Sequence, residues 1–139
     1  MVVEDDPGSR EAVVEMLSVM GAEVRASGSA SEAMRDLEEF GPAVLVCDIA
    51  MPGEDGYSLI RRIRDLGATR GGDVPAVALT ALAGAGDRQR AIEAGFQSYL
   101  TKPVDLDDLA QAVAELWCSA PTAPSAPRTE AARTRVSEG

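Results

Sequence analysis

The sequence predicts an α/β fold in three layers: a five-stranded parallel sheet with helices on both faces. Two observations carry that prediction. Short apolar runs of strand character alternate strictly with segments whose apolar residues recur at helical spacing. The inner runs are continuously apolar, as strands buried on both faces require. With 139 residues the chain is long enough for one ordinary domain and too short for two.

Taken in order, "MVVED" (1–5) is a short β-branched run ending in acids, and "SREAVVEMLSVMG" (9–21) places Ala12, Val13, Met16, Leu17 and Met20 at helical spacing before a stop at Gly21. "AEVRA" (22–26) alternates as a strand. "SASEAMRDLEEFG" (29–41) opens on a capping serine, Ser29 or Ser31, and turns Ala33, Leu37 and Phe40 inward. "AVLVCD" (43–48) reads as a buried strand, followed by a helix in "GYSLIRRIRDLG" (56–67) with Leu59, Ile60, Ile63 and Leu66 inward. "VPAVALTA" (74–81) is another buried strand and "DRQRAIEAG" (87–95) a short polar helix. "FQSYLTKP" (96–103) is a strand ending at Pro103, and "DLDDLAQAVAELW" (105–117) is a last helix with Leu106, Leu109, Val113 and Leu116 on one stripe. From residue 119 the chain turns Pro-, Ala-, Ser- and Thr-rich with almost no large apolar residue, the composition of a disordered tail.

Composition narrows the chemistry. Aromatic residues are 4% against 45% hydrophobic overall, so the core is aliphatic. The formal charge of −10 predicts repulsion from nucleic acid phosphates and anionic membrane surfaces, and favours cations or basic protein surfaces as partners. No run is long enough to span a bilayer and no leader resembles a signal peptide, so a reducing cytoplasm is the expected compartment. Cys47 and Cys118 lie far apart and form no zinc or disulfide pattern; Cys47 is expected to pack in the core. Histidine is absent, which removes His-based acid–base catalysis, Ser-His-Asp triads and most zinc chemistry.

In a parallel sheet reactive groups gather at the carboxyl ends of the strands. The first strand delivers Glu4, Asp5 and Asp6 there, the third Asp48, the fourth Thr80 and the fifth Lys102. Each alone has an ordinary reading as a cap or a solvated charge. Together they make a cluster of carboxylates that persists only with a cation, since two such charges about 4 Å apart repel by roughly 1–4 kcal/mol. An all-oxygen donor set suits Mg²⁺ or Mn²⁺. A hydroxyl (Thr80) and an ammonium (Lys102) beside it suit the oxygens of a phosphoryl group, with Asp48 left as an already ionised nucleophile.

These residues resemble the receiver domain of two-component response regulators over residues 1 to 118. The matching pieces are "VVEDDPGSR", "VLVCDIAMPGEDGYSLIRRIR", "VPAVALTA" and "YLTKPVD", and the wording around "MPGEDGYSLIRRIR" is most similar to receivers attached to hybrid histidine kinases. The resemblance implies a flavodoxin-like strand order 2-1-3-4-5 and a phosphorelay switch that is not an enzyme in the ordinary sense. Asp48 would accept a phosphoryl group from a sensor histidine kinase or a phosphotransfer protein. Glu4 and Asp5 would be the acidic pair for Mg²⁺, Asp5 directly and Glu4 through water, with Asp6 outside the set and Ala50 offering its backbone carbonyl. Thr80 and Lys102 would bind phosphoryl oxygens, and Tyr99 would be the aromatic switch of a face made by the fourth helix, fifth strand and fifth helix, through which a homodimer could form. Ala50 and Leu82 stand where the family positions or hinders the hydrolytic water; neither side chain hydrogen-bonds, which implies slow self-dephosphorylation.

The family's first strand begins several residues before the place of Met1. The expected first strand is therefore short, with ladder bonds lost at roughly 0.5–1.5 kcal/mol each, and the tail leaves no length for an output domain. A phosphatase with a strand-end Asp would need a second Asp two residues on, where Ala50 stands. A receiver fold kept only as a phosphorylation-independent interaction module is the remaining alternative.

Overall fold

The computed structural model describes residues 1–81 and 85–119. Five strands, β1 (Val2–Val3), β2 (Ala26–Ser27), β3 (Leu45–Asp48), β4 (Ala76–Thr80) and β5 (Ser98–Thr101), form one sheet in the order β2-β1-β3-β4-β5. All four pairings are parallel. Helices α1 (Pro7–Val19), α2 (Ala30–Phe40), α3 (Gly56–Asp65), α4 (Ala85–Ala94) and α5 (Leu106–Ser119) connect or follow the strands.

The strand pleat divides the core in two. Val3, Leu45, Cys47, Ala76 and Ala78 face a cluster with residues of α2, α3 and α4. Val2, Val46, Val77 and Leu79 face the opposite cluster, with Val13 and Leu17 of α1 and Leu109 and Leu116 of α5. Strands β1, β3, β4 and β5 thus alternate between two apolar layers, while the edge strand β2 leaves Ala26 exposed.

The helix starts follow local chemistry. Asp6 caps α1, its carboxylate accepting from Ser9 N–H at 2.8 Å, with Pro7 in the first turn. Those bonds from Ser9 hold the Asp6 carboxyl below its usual range. Ser29 caps α2 and accepts from Glu32 N–H at 3.2 Å, while the Glu32 carboxylate reaches back to Gly28 N–H at 2.9 Å. Asp55 caps α3 through Ser58 N–H at 2.9 Å.

Three expectations need correction. The strand read at 22–26 forms its ladder only at Ala26–Ser27, because its sole neighbour β1 offers Val2 and Val3 to pair with. Leu106 is exposed as the first residue of α5, while Ala112 is buried in the stripe instead. Helix α5 runs on to Ser119. Leu82 and residues 120–139 lie outside the described residues.

Candidate functional site

Parallel strands of unequal length bring their carboxyl ends to one edge. The register sets Asp48 opposite Leu79 and Thr80 opposite Thr101, so the residues following β1, β3, β4 and β5 share that edge. Glu4, Asp5 and Asp48 each present a carboxylate oxygen there, all within 4.8 Å of one another. Glu4 and Asp48 are 1% and 3% exposed, so water alone does little to screen them.

Lys102 supplies the countercharge. Its Nζ lies 2.8 Å from Glu4 Oε1 and 3.0 Å from Asp48 Oδ1. Partial burial by itself would lower the ammonium's pKa, but the hydrogen bonds and charges of Glu4 and Asp48 outweigh it and hold the pKa above the ordinary lysine value. Lys102 N–H donates to Thr80 O at 2.7 Å, which ties the end of β5 to the end of β4. The Lys102–Pro103 peptide is cis.

The backbone around Asp48 is closely held. Gly56 N–H donates to Ile49 O at 2.8 Å. A Cβ at Gly56 would fall 2.6 Å from Asp48 O and 2.9 Å from Ile49 Cα, so only glycine lets α3 begin this close to the acidic residue. Gly53, with φ +79°, makes the turn after Pro52. Cys47, fully buried beside Asp48, has its thiol pKa pushed up by burial first and the Asp48 charge second, which makes it core filling.

Of the other residues singled out in the sequence, Thr80 is 5% exposed at the end of β4. Ala50 is exposed in the loop after β3. Tyr99 is half-buried in β5 opposite Ala78, against the cluster on the α3 and α4 side. Asp6 is engaged as the α1 cap. Two arginines were not anticipated. Arg10 Nη1 donates to Glu4 O at 2.9 Å and to Asp5 O at 3.4 Å. At the opposite edge Arg64 donates to Gly72 O, Val74 O and Gly95 O at 2.6–3.1 Å, pinning α3 to the loops before β4 and β5. Sequence spacing shows an arginine on a helix but not which carbonyls it reaches.

The donor set fits a hard divalent cation: three carboxylates, two of them buried, with the Lys102 ammonium shared between Glu4 and Asp48. No helix among the described residues is long and apolar enough to cross a membrane.

Known proteins resemble the chain along most of its length. The profile of the response regulator receiver domain matches residues 1–114. An uncharacterised 14.6 kDa protein of Leptolyngbya boryana is 46% identical over 120 residues, covering 86% of this chain and 89% of that protein. The sensor histidine kinase RcsC of Salmonella typhi is 37% identical over 114 residues, which are 82% of this chain but 12% of the kinase. The receiver domain of the sensor histidine kinase PA1611 of Pseudomonas aeruginosa, solved with a magnesium ion coordinated in the active site cleft, is 33% identical with a TM-score of 0.74, covering 83% of this chain and 93% of that one. With its strand order and acidic edge, the chain belongs to the response regulator receiver domains, the phosphoacceptor modules of two-component systems.

Proposed function

We propose that Asp48 is the phosphoryl acceptor of this receiver and that Glu4, Asp5, Asp48 and the Ala50 carbonyl hold Mg²⁺, with Mn²⁺ an acceptable substitute. The observation that carries the reading is the meeting of Glu4, Asp5 and Asp48 within 4.8 Å, with Lys102 Nζ 3.0 Å from Asp48. The bound cation would neutralise charge as a phosphoryl group approaches an acidic cleft. Asp48 Oδ would attack phosphorus in line. The O–P bond forms as the P–N bond of a phosphohistidine breaks, and the protonated imidazole leaves as the neutral ring. Lys102, now shared by Glu4 and Asp48, would pass from Asp48 to a phosphoryl oxygen, and the Thr80 hydroxyl would donate to another.

The donor is proposed to be a phosphohistidine on a sensor histidine kinase or a phosphotransfer protein, in keeping with the RcsC and PA1611 receivers. Movement of Thr80 toward the phosphoryl group would let Tyr99 turn inward and repack the face of α4, β5 and α5, with a homodimer through that face as one output. Coupling of this kind is typically about 1–3 kcal/mol, a shift between populations. Without a hydrogen-bonding side chain at Ala50 to place water, the phosphoaspartate is expected to be long-lived. A cytoplasmic setting suits an aspartyl-phosphate switch fed by kinases.

Mg²⁺ with beryllofluoride, a phosphoryl mimic, tests the reading by thermal unfolding. The wild-type melting temperature should rise and that of Asp48→Asn should not. No shift in the wild type would favour a receiver fold used only as an interaction surface.

A further inference from the structure

We infer that Arg10 is a positioning residue for the cation site, bracing the turn that presents Glu4 and Asp5, and that Gly28 is the opening that lets it do so. The inference rests on the Mg²⁺ reading above.

Strand β1 ends at Val3, and Glu4 and Asp5 stand just past its ladder. Glu4 N–H still bonds to Ser27 O at 3.0 Å, so that side of the segment is anchored to the residue ending β2. On the other side, the Glu4 carbonyl accepts from Arg10 Nη1 at 2.9 Å and the Asp5 carbonyl from the same nitrogen at 3.4 Å. Arg10 is itself fixed one turn into α1, with its N–H on Asp6 O at 2.9 Å. One guanidinium therefore grips the two peptides that carry the two acids. Both bonds leave Nη1, whose two N–H groups are fixed in the guanidinium plane and can serve two neighbouring carbonyls.

Access to that position depends on the loop between β2 and α2. A Cβ built on Gly28 would lie 3.0 Å from Arg10 Nη1 and 3.8 Å from its Cζ. Gly28 has no left-handed backbone angle to explain it. Its missing side chain is where the guanidinium sits. Gly28 is held in place by Glu32, whose carboxylate takes its N–H at 2.9 Å. The aim of two carboxylates is thus set by three elements, α1, β2 and α2, none of which contributes a ligand.

Charge and positioning make opposite predictions. A cation beside a Mg²⁺ site weakens binding by repulsion, so an arginine present only as charge would bind Mg²⁺ better when removed. A bracing arginine would bind it worse, by about tenfold as for other groups that orient metal ligands. The experiment is calorimetric titration of MgCl₂ into the wild type, Arg10→Met, Gly28→Val and the double variant. Arg10→Met should weaken Mg²⁺ binding about tenfold. Gly28→Val should weaken it with the arginine present, and should add nothing in the Arg10→Met background, as coupled sites require. Mg²⁺ affinity in Arg10→Met equal to or above the wild type overturns the inference, as do losses that multiply in the double variant. Should Arg10→Met not fold, Gly28→Val decides: unchanged affinity refutes the brace. A wild type that binds no Mg²⁺ contradicts the cation reading itself, a result distinct from either.

Discussion

Lys102 is the residue on which the resting site balances. Glu4 is almost wholly buried, and its Oε1 has the Lys102 ammonium at 2.8 Å. Lys102→Met would strand that carboxylate, and unfolding by urea should show a loss of about 1–3 kcal/mol in metal-free protein. Excess Mg²⁺ should narrow the deficit, because a divalent cation neutralises the same oxygens; a deficit indifferent to Mg²⁺ would place the cation elsewhere. Ala50 makes a separate prediction. Ala50→Asn supplies a group able to orient water, so its phosphoaspartate should decay faster than the wild type's when followed by intact-protein mass. The placement of Asp48, Thr80 and Lys102 at the strand ends is legible because apolar runs stop there. That of Arg10 is not, since its partners are carbonyls, which every residue has.

At the scale of elements, helix α3 is placed by a missing side chain. Gly56→Ala would drive a Cβ into Asp48 O and Ile49 Cα, so α3 or the loop must shift, at about 1–3 kcal/mol of stability in denaturant titration. Helix α2 is joined to β2 by Ser27 Oγ, which donates to the buried Asp36 Oδ2 at 2.8 Å. That hydrogen bond first, with Arg35 and Arg25 nearby, holds the Asp36 carboxyl below its usual range against the effect of burial. The contribution is complete above the unfolded carboxylate pKa near about 4 and is lost as pH falls through the lower folded value. Ser27→Ala should therefore be less stable than the wild type at neutral pH, with the gap closing as the pH is taken below about 4. Helix periodicity gave α2 and α3 their inward residues, whereas β2 and the N-terminal end of α5 depend on tertiary neighbours. Strand β2 is only as long as β1 allows, and Leu106 follows helical spacing but, as the first residue of α5, stays exposed.

The molecule as a whole is organised so that one sheet edge gathers the acidic cluster and the other holds the frame. Two apolar clusters grip the sheet from both faces, and Arg64 ties three backbone carbonyls at the amino-terminal edge. At the opposite edge Glu4, Asp5, Asp48 and Lys102 collect just where the strands end. Alternation of segments made the parallel three-layer fold readable, but the order β2-β1-β3-β4-β5 came from resemblance, since local pattern does not say which strands are neighbours. The most direct measurement is peptide-level mass spectrometry after incubation with acetyl phosphate and Mg²⁺. Wild-type protein should carry one phosphoryl group, on Asp48, dependent on Mg²⁺ and absent from Asp48→Asn. Equal labelling of Asp48→Asn, or a phosphoryl group mapped to another residue of the wild type, would contradict the account.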